Sequence, residues 1–181
     1  MNNPIEQWLK TYYFTRAGVS IAWVLAALNA APSSAAAGIL LVAYPVWDAL
    51  ANLADARRSG GLAANRTQAT NVLVSVAVAV AIAAGLGDMH RVLAVFGAWA
   101  ILSGLLQLAT GLRRRRTTGA QWAMMLSGAQ SALAGAVFIV QAGGAADPTV
   151  ATIAGYAGFG AFYFLLSGLA LVVRGMRGKA A

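Results

Sequence analysis

The sequence predicts an all-α polytopic membrane helix bundle. It has six transmembrane helices arranged as three hairpin repeats, with an N-terminal interfacial amphipathic helix before them. Three observations predict this. The 181 residues are 60% hydrophobic and only 10% charged, whereas a soluble domain carries about 25% charge. The apolar residues fall into six runs long enough to cross a hydrocarbon core. The basic residues gather in alternate connections between those runs, as in a membrane topology signal and unlike a nucleic-acid groove.

Residues 1–14 come first. Ile5, Trp8, Leu9 and Tyr12 recur at helical spacing, with Glu6, Gln7, Lys10 and Thr11 between them. Asn3 is placed to cap this helix and Pro4 to open it. The pattern is that of a short helix lying in the interface, with Trp8, Tyr12 and Tyr13 at headgroup level. Residues 15–181 form the six-span membrane domain. The apolar runs are Thr15–Ala31, Ala35–Ala56, Ala69–Leu86, Arg91–Leu112, Ala120–Gln141 and Val150–Val173. They pair into hairpins 15–56, 69–112 and 120–173. The first run is read as a retained helix, because Leu28 and Asn29 spoil the small-residue cleavage site that a signal peptide needs.

Turns at one end are marked by Pro32 with Ser33 and Ser34, by Gly87-Asp88, and by Gly143-Gly144 with Asp147-Pro148. The other end holds every Lys and Arg but one: Lys10, Arg16, Arg57, Arg58, Arg66, Arg113 to Arg116, Arg174, Arg177 and Lys179, against Arg91 alone. By the positive-inside rule both termini are expected in the cytoplasm.

The chain also repeats itself. Aligning Leu102-Ser103-Gly104 with Leu166-Ser167-Gly168 brings Trp99 onto Tyr163 and Gly111 onto Gly175. Aligning Trp47 with Trp99 brings Leu50 onto Leu102 and Leu53 onto Leu105. Alternate spans carry stripes of small residues four apart: Ala22-Ala26-Ala30, Ser75-Ala79-Ala83 and Ser127-Ser131-Gly135. Such stripes let helix backbones approach closely in lipid.

The run Phe96-Gly97-Ala98-Trp99-Ala100-Ile101-Leu102-Ser103-Gly104-Leu105-Leu106-Gln107 resembles the short repeat of the HdeD-like membrane protein family. So do the Arg cluster after it, Gln121-Trp122, and Leu126-Ser127-Gly128 through Ala134-Gly135. The resemblance extends over about residues 90–180. It implies a bacterial inner-membrane protein of six spans built from hairpin repeats, of a family whose molecular function is unknown and whose best-known member is associated with acid resistance. The family supplies no role for the polar residues of the second span.

Those residues are Tyr44, Asp48, Asn52 and Asp55, which share one helix face. Pro45 removes a backbone donor beside them. An ionisable group inside a membrane is costly and faces the bundle interior or a wet cavity. Asp55 lies near the cytoplasmic end, and Arg58 or a neighbouring Arg is its expected partner. Asp48 lies deeper, where no Lys or Arg is expected. It is therefore predicted to face inward and to be largely protonated, as a hydrogen-bonded anchor or, if water reaches it, as a proton or cation relay.

His90, with Asp88 beside it, is the candidate pH-sensitive site at the outer end, because an unperturbed imidazole titrates in mildly acid water. Arg113, Arg114, Arg115 and Arg116 are candidate contacts for lipid headgroups. Asn65-Arg66-Thr67 matches a glycosylation acceptor, which a cytoplasmic loop leaves unmodified. With no cysteine and one histidine, no metal site is expected. Neither a catalytic constellation nor a cofactor motif can be assembled, so the chain is not expected to be an enzyme. Membrane lipids are its expected partners, homo-oligomerisation is open, and nucleic acid is not expected. The function expected is that of a non-enzymatic stress or acid-resistance protein, with a small proton or ion conduit using Asp48 as the alternative.

Overall fold

The computed structural model describes residues 4–31, 34–116 and 121–180, without the side chains of 177–180. Six helices follow one another: α1 Pro4–Asn29, α2 Ala35–Arg58, α3 Arg66–Gly85, α4 Met89–Arg114, α5 Gln121–Ala142 and α6 Val150–Ala180. Helices α2 to α6 are long and apolar enough to cross a membrane, α6 over Val150–Met176. Helix α1 falls outside that set, because Glu6, Lys10, Arg16 and the nearby tyrosines lower its apolarity. Asn3, Pro32, Ser33, Ala120 and the side chains of Arg177 and Lys179 lie outside the described residues.

The interfacial helix and the first span are not separate. Residues 4–29 form one uninterrupted helix of about 39 Å. Its buried face runs without a break through Leu9, Tyr13, Ala17, Ser20, Trp23 and Ala27. That continuity explains why Tyr12 and Tyr13 are buried in the bundle and do not lie among headgroups. Helix α1 runs antiparallel to α6. Glu6 pairs with Arg174 at 4.0 Å, and Phe14 packs on Gly168.

The helices form a closed ring in which each packs on its neighbours in sequence and α1 closes on α6. Pairs α4–α5, α1–α6 and α2–α3 approach most closely. The two linked pairs among them are joined at the basic end, so the tightest units straddle the hairpins 15–56, 69–112 and 120–173 read from the repeat. The α4–α5 seam is built on glycine. A Cβ on Gly104 would meet Gly128 O at 2.6 Å, and one on Gly128 would meet Leu108 N at 2.7 Å. Gly97 and Gly135 meet in the same way further along.

The small-residue stripes divide. Ser127 and Gly135 are buried on the α4 side, and Ser131 donates to Ala100 O at 2.9 Å. Ser75 and Ala79 are buried, while Ala83 is exposed. Ala22 and Ala26 are exposed, and of the α1 stripe Ala30 alone packs on the core. The side of α1 that meets the bundle instead carries its aromatic residues.

Helix ends follow local chemistry. Ser34 caps α2 by accepting from Ala37 N at 3.1 Å, and Asp88 caps α4 by accepting from Arg91 N at 3.1 Å, each satisfying a free helical N–H. Helix α2 ends at Arg58 and is followed by Gly60 and Gly61, whose φ of 96° and 87° suits glycine. Asn65 then donates to Ser59 O and Gly61 O at 2.6 and 2.9 Å, which ties the glycosylation-like sequence into the loop.

Candidate polar site inside the bundle

Asp48 lies near the middle of α2, and Arg16 lies near the middle of α1. The two side chains form an ion pair, Arg16 Nη2 to Asp48 Oδ1. The expectation that no Lys or Arg lies at the depth of Asp48 is therefore corrected. Reading residues 1–14 as a separate helix placed Arg16 at the membrane edge. The continuous α1 carries it to mid-bundle, beside the Asp48 carboxyl. The visible signal was the unbroken buried periodicity from Leu9 to Ala27.

The other carboxylate oxygen, Oδ2, is held from α2 and α3. Asn52 Nδ2 donates to Oδ2 at 3.1 Å, and Ser75 Oγ donates to the same oxygen at 2.9 Å. Ser75 spends its proton on Asp48, so it accepts from Trp99 Nε1 at 3.0 Å. The chain Trp99 to Ser75 to Asp48 thus has a fixed direction. Arg16 Nη1 also donates to Tyr12 OH at 3.0 Å, and its guanidinium lies 4.3 Å from the ring centre of Phe164. Tyr44 lies 4.7 Å from Trp23, ring centre to ring centre and tilted, and meets Trp99 edge to face. Low dielectric strengthens each of these contacts and makes their loss costly.

Asp55 is paired as expected with an arginine, but with Arg114 of α4 at 2.8 Å. Trp8 Nε1 donates to its other oxygen at 3.1 Å, and Gln68 adds a bond at 3.2 Å. Arg58 instead lies 5.2 Å from the ring centre of Trp8. The Arg cluster therefore splits. Arg113 donates to Thr67 and Gln68, Arg114 turns inward, and Arg115 and Arg116 are exposed, which leaves those two free to meet headgroups.

A cavity of about 60 Å³ adjoins the Arg16–Asp48 pair, and all six helices line it. Trp47, Trp99 and Tyr163, which the internal repeat equates, all face it, so it lies where the three repeats meet. A second cavity of about 30 Å³ shares Arg16, Asn71 and Gln107 with it and reaches Asp55 and Arg114 near the basic end. Toward the opposite end the way is closed by Leu41, Ile82, Leu93, Phe96 and Ile153, all buried in one apolar cluster. Two polar cavities thus lie one beyond the other between the centre and the basic end.

At the end opposite the basic connections His90 does not pair with Asp88. Its Nδ1 lies 3.0 Å from Ala142 O, and its Nε2 lies 3.5 Å from Asp147 Oδ1, which ties the start of α4 to the α5–α6 connection. Asp88 is held below the usual carboxylate range, first by the backbone N–H of Arg91 and also by the Arg91 charge. Among the described residues no cluster of potential ligands is suited to a metal ion.

Residues 73–140 match the family described as a short repeat of unknown function (DUF308). The matched stretch runs from α3 through most of α5. It includes the Phe96–Gln107 run and the glycine seam, and it ends before α6. The likeness to that family is thus established for this stretch. No curated protein matches the chain, and no solved structure does.

Proposed function

We propose that this multi-pass helical protein is a non-enzymatic component of the bacterial inner membrane, of the stress or acid-resistance type, with both termini cytoplasmic. It acts through its bundle and not through a reaction. The observation that carries this reading is that both oxygens of the Asp48 carboxylate are held, by Arg16 on one and by Asn52 and Ser75 on the other. A carboxylate so held is a cross-brace between α1, α2 and α3. Protonating it would break an ion pair and leave a buried guanidinium unmatched. The repeat match supports the membrane-bundle character, and the HdeD-like resemblance supports the stress type.

One observation favours a second reading, a proton or ion conduit. The midplane cavity borders Asp48 and connects through shared residues toward the basic end. Proton flux into liposomes containing the purified protein separates the two. Flux equal to that of empty liposomes, with acid survival lost in cells lacking the protein, supports the bundle role. Flux above background that disappears in Asp48→Asn replaces it with the conduit.

A further inference from the structure

Three buried polar atoms at the central cavity have no partner within the chain: Arg16 Nε, Trp47 Nε1 and Asn71 Oδ1. All three belong to residues that line the cavity. Asn71 is 7% exposed, and an unmet buried amide oxygen or indole N–H is rare because its desolvation is uncompensated. The other indoles with buried roles are satisfied: Trp8 by Asp55, Trp23 by the Leu40 carbonyl, and Trp99 by Ser75. Trp47 is the exception, and it occupies the repeat position of Trp99.

We propose that this cavity is a binding site for a small uncharged molecule that carries a carbonyl beside an O–H or N–H donor, the pattern of a protonated carboxylic acid or a primary amide. The carbonyl oxygen has two lone pairs, matching the two free donors, Arg16 Nε and Trp47 Nε1. The ligand donor matches the free acceptor, Asn71 Oδ1. Charge selects the neutral form. Asp48 already balances Arg16, so an anion would bring an uncompensated charge to the middle of a membrane bundle. Size sets the chain length. The volume of about 60 Å³ holds about four water-sized positions, which suits acetamide or acetic acid and excludes long-chain acids. Tyr163 and Phe159 give the cavity an aromatic wall for the ligand's methyl end. The adjoining polar space toward Asp55 and Arg114 places the entrance at the basic end. The site is independent of the stress-type role.

The chain's five tryptophans supply the probe. Indole N–H signals of the full-length protein in mild detergent are followed by NMR during titration with acetamide at neutral pH. The same titration is made with acetic acid at about pH 4 and with acetate at neutral pH. The Trp47 signal should shift saturably with acetamide and with acetic acid but not with acetate. The signal of Trp23, bonded to Leu40 O, should stay still. Asn71→Leu should weaken the acetamide affinity by about tenfold or more, with the Trp23 and Trp99 signals certifying its fold. Asn71→Asp serves as a second variant that keeps an acceptor if Asn71→Leu does not fold, and it should retain the shift. Acetamide responding without acetic acid assigns the amide, and acetic acid without acetamide assigns the acid. Absence of a saturable Trp47 shift in the wild type overturns the site, as does a response to acetate alone. An equal affinity in Asn71→Leu does the same.

Discussion

Asp48 and Arg16 meet at the middle of their helices, and removing either alone leaves the other short of a partner in a low-dielectric place. Asp48→Asn should lower stability by about 3–5 kcal/mol, the usual cost of breaking a buried pair, read as thermal unfolding in mild detergent. The double change Arg16→Met with Asp48→Leu should recover most of that loss, because apolar replacement of both partners is often neutral. A single variant as stable as the wild type would mean the pair contributes nothing. A protonated Asp48 would have predicted little effect, so this measurement tests the ion pair directly. At the end opposite the basic connections, Asp88 contributes through its cap. Its carboxyl is held below the usual range, so the stabilisation is present at neutral pH and lost as pH falls through that lowered value. Hydrogen exchange at Arg91 and Val92 should be faster in Asp88→Ala at neutral pH, and the difference should vanish in acid.

At the scale of the element, the α4–α5 pair depends on the absence of side chains. A Cβ on Gly104 or Gly128 would lie within 2.6 Å of backbone oxygen on the facing helix, which no rotamer change relieves. Gly128→Ala should therefore cost about 1–3 kcal/mol as the helices part. Gly18 and Gly158 have nothing within 4 Å of an added Cβ, and alanine there should be neutral or stabilising by up to about 1 kcal/mol. Thermal stability of the set decides the point, and equal behaviour of all three positions would remove the seam. The same logic separates the stripes. Gly135→Leu should disrupt packing, while Ala22→Leu on the exposed face of α1 should be tolerated. Alanine-rich composition alone cannot distinguish these faces; only the position of the facing helix does.

At the scale of the whole molecule, the ring brings both chain ends to one side, where α1 and α6 lie antiparallel and Glu6 approaches Arg174. The same end gathers the α2–α3 and α4–α5 connections and nearly all of the basic residues. Reporter fusions after Arg58, Arg116 and the C-terminus should therefore report cytoplasm, and fusions near Asp88 and Asp147 should report the outside. One basic connection found outside would reverse the orientation. The ring also leaves a polar centre bounded by repeat-equivalent aromatic side chains, a feature of the assembly and not of any single hairpin.

Composition, run length and the distribution of basic residues by themselves determined that this is a helical membrane protein. They determined also where the apolar helices from Ala35 onward run and that their basic connections gather at one end, because those properties follow from local hydropathy and helix geometry. The polar face of α2 was legible for the same reason, since spacing along one helix fixes which residues share a face. Only the tertiary structure decided what that face meets. Arg16 and Ser75 reach Asp48 from α1 and α3, Trp99 of α4 backs Ser75, and Arg114 reaches Asp55 from α4. No pattern within one segment encodes the rotation of one helix against another. Whether Asp48 is a lone carboxyl or half of an ion pair turned on a single local question, the continuity of α1 through residue 14. Packing settled it: the aromatic residues of that segment gain more by burial against α6 than by lying in the interface, and the helix that buries them carries Arg16 to the centre.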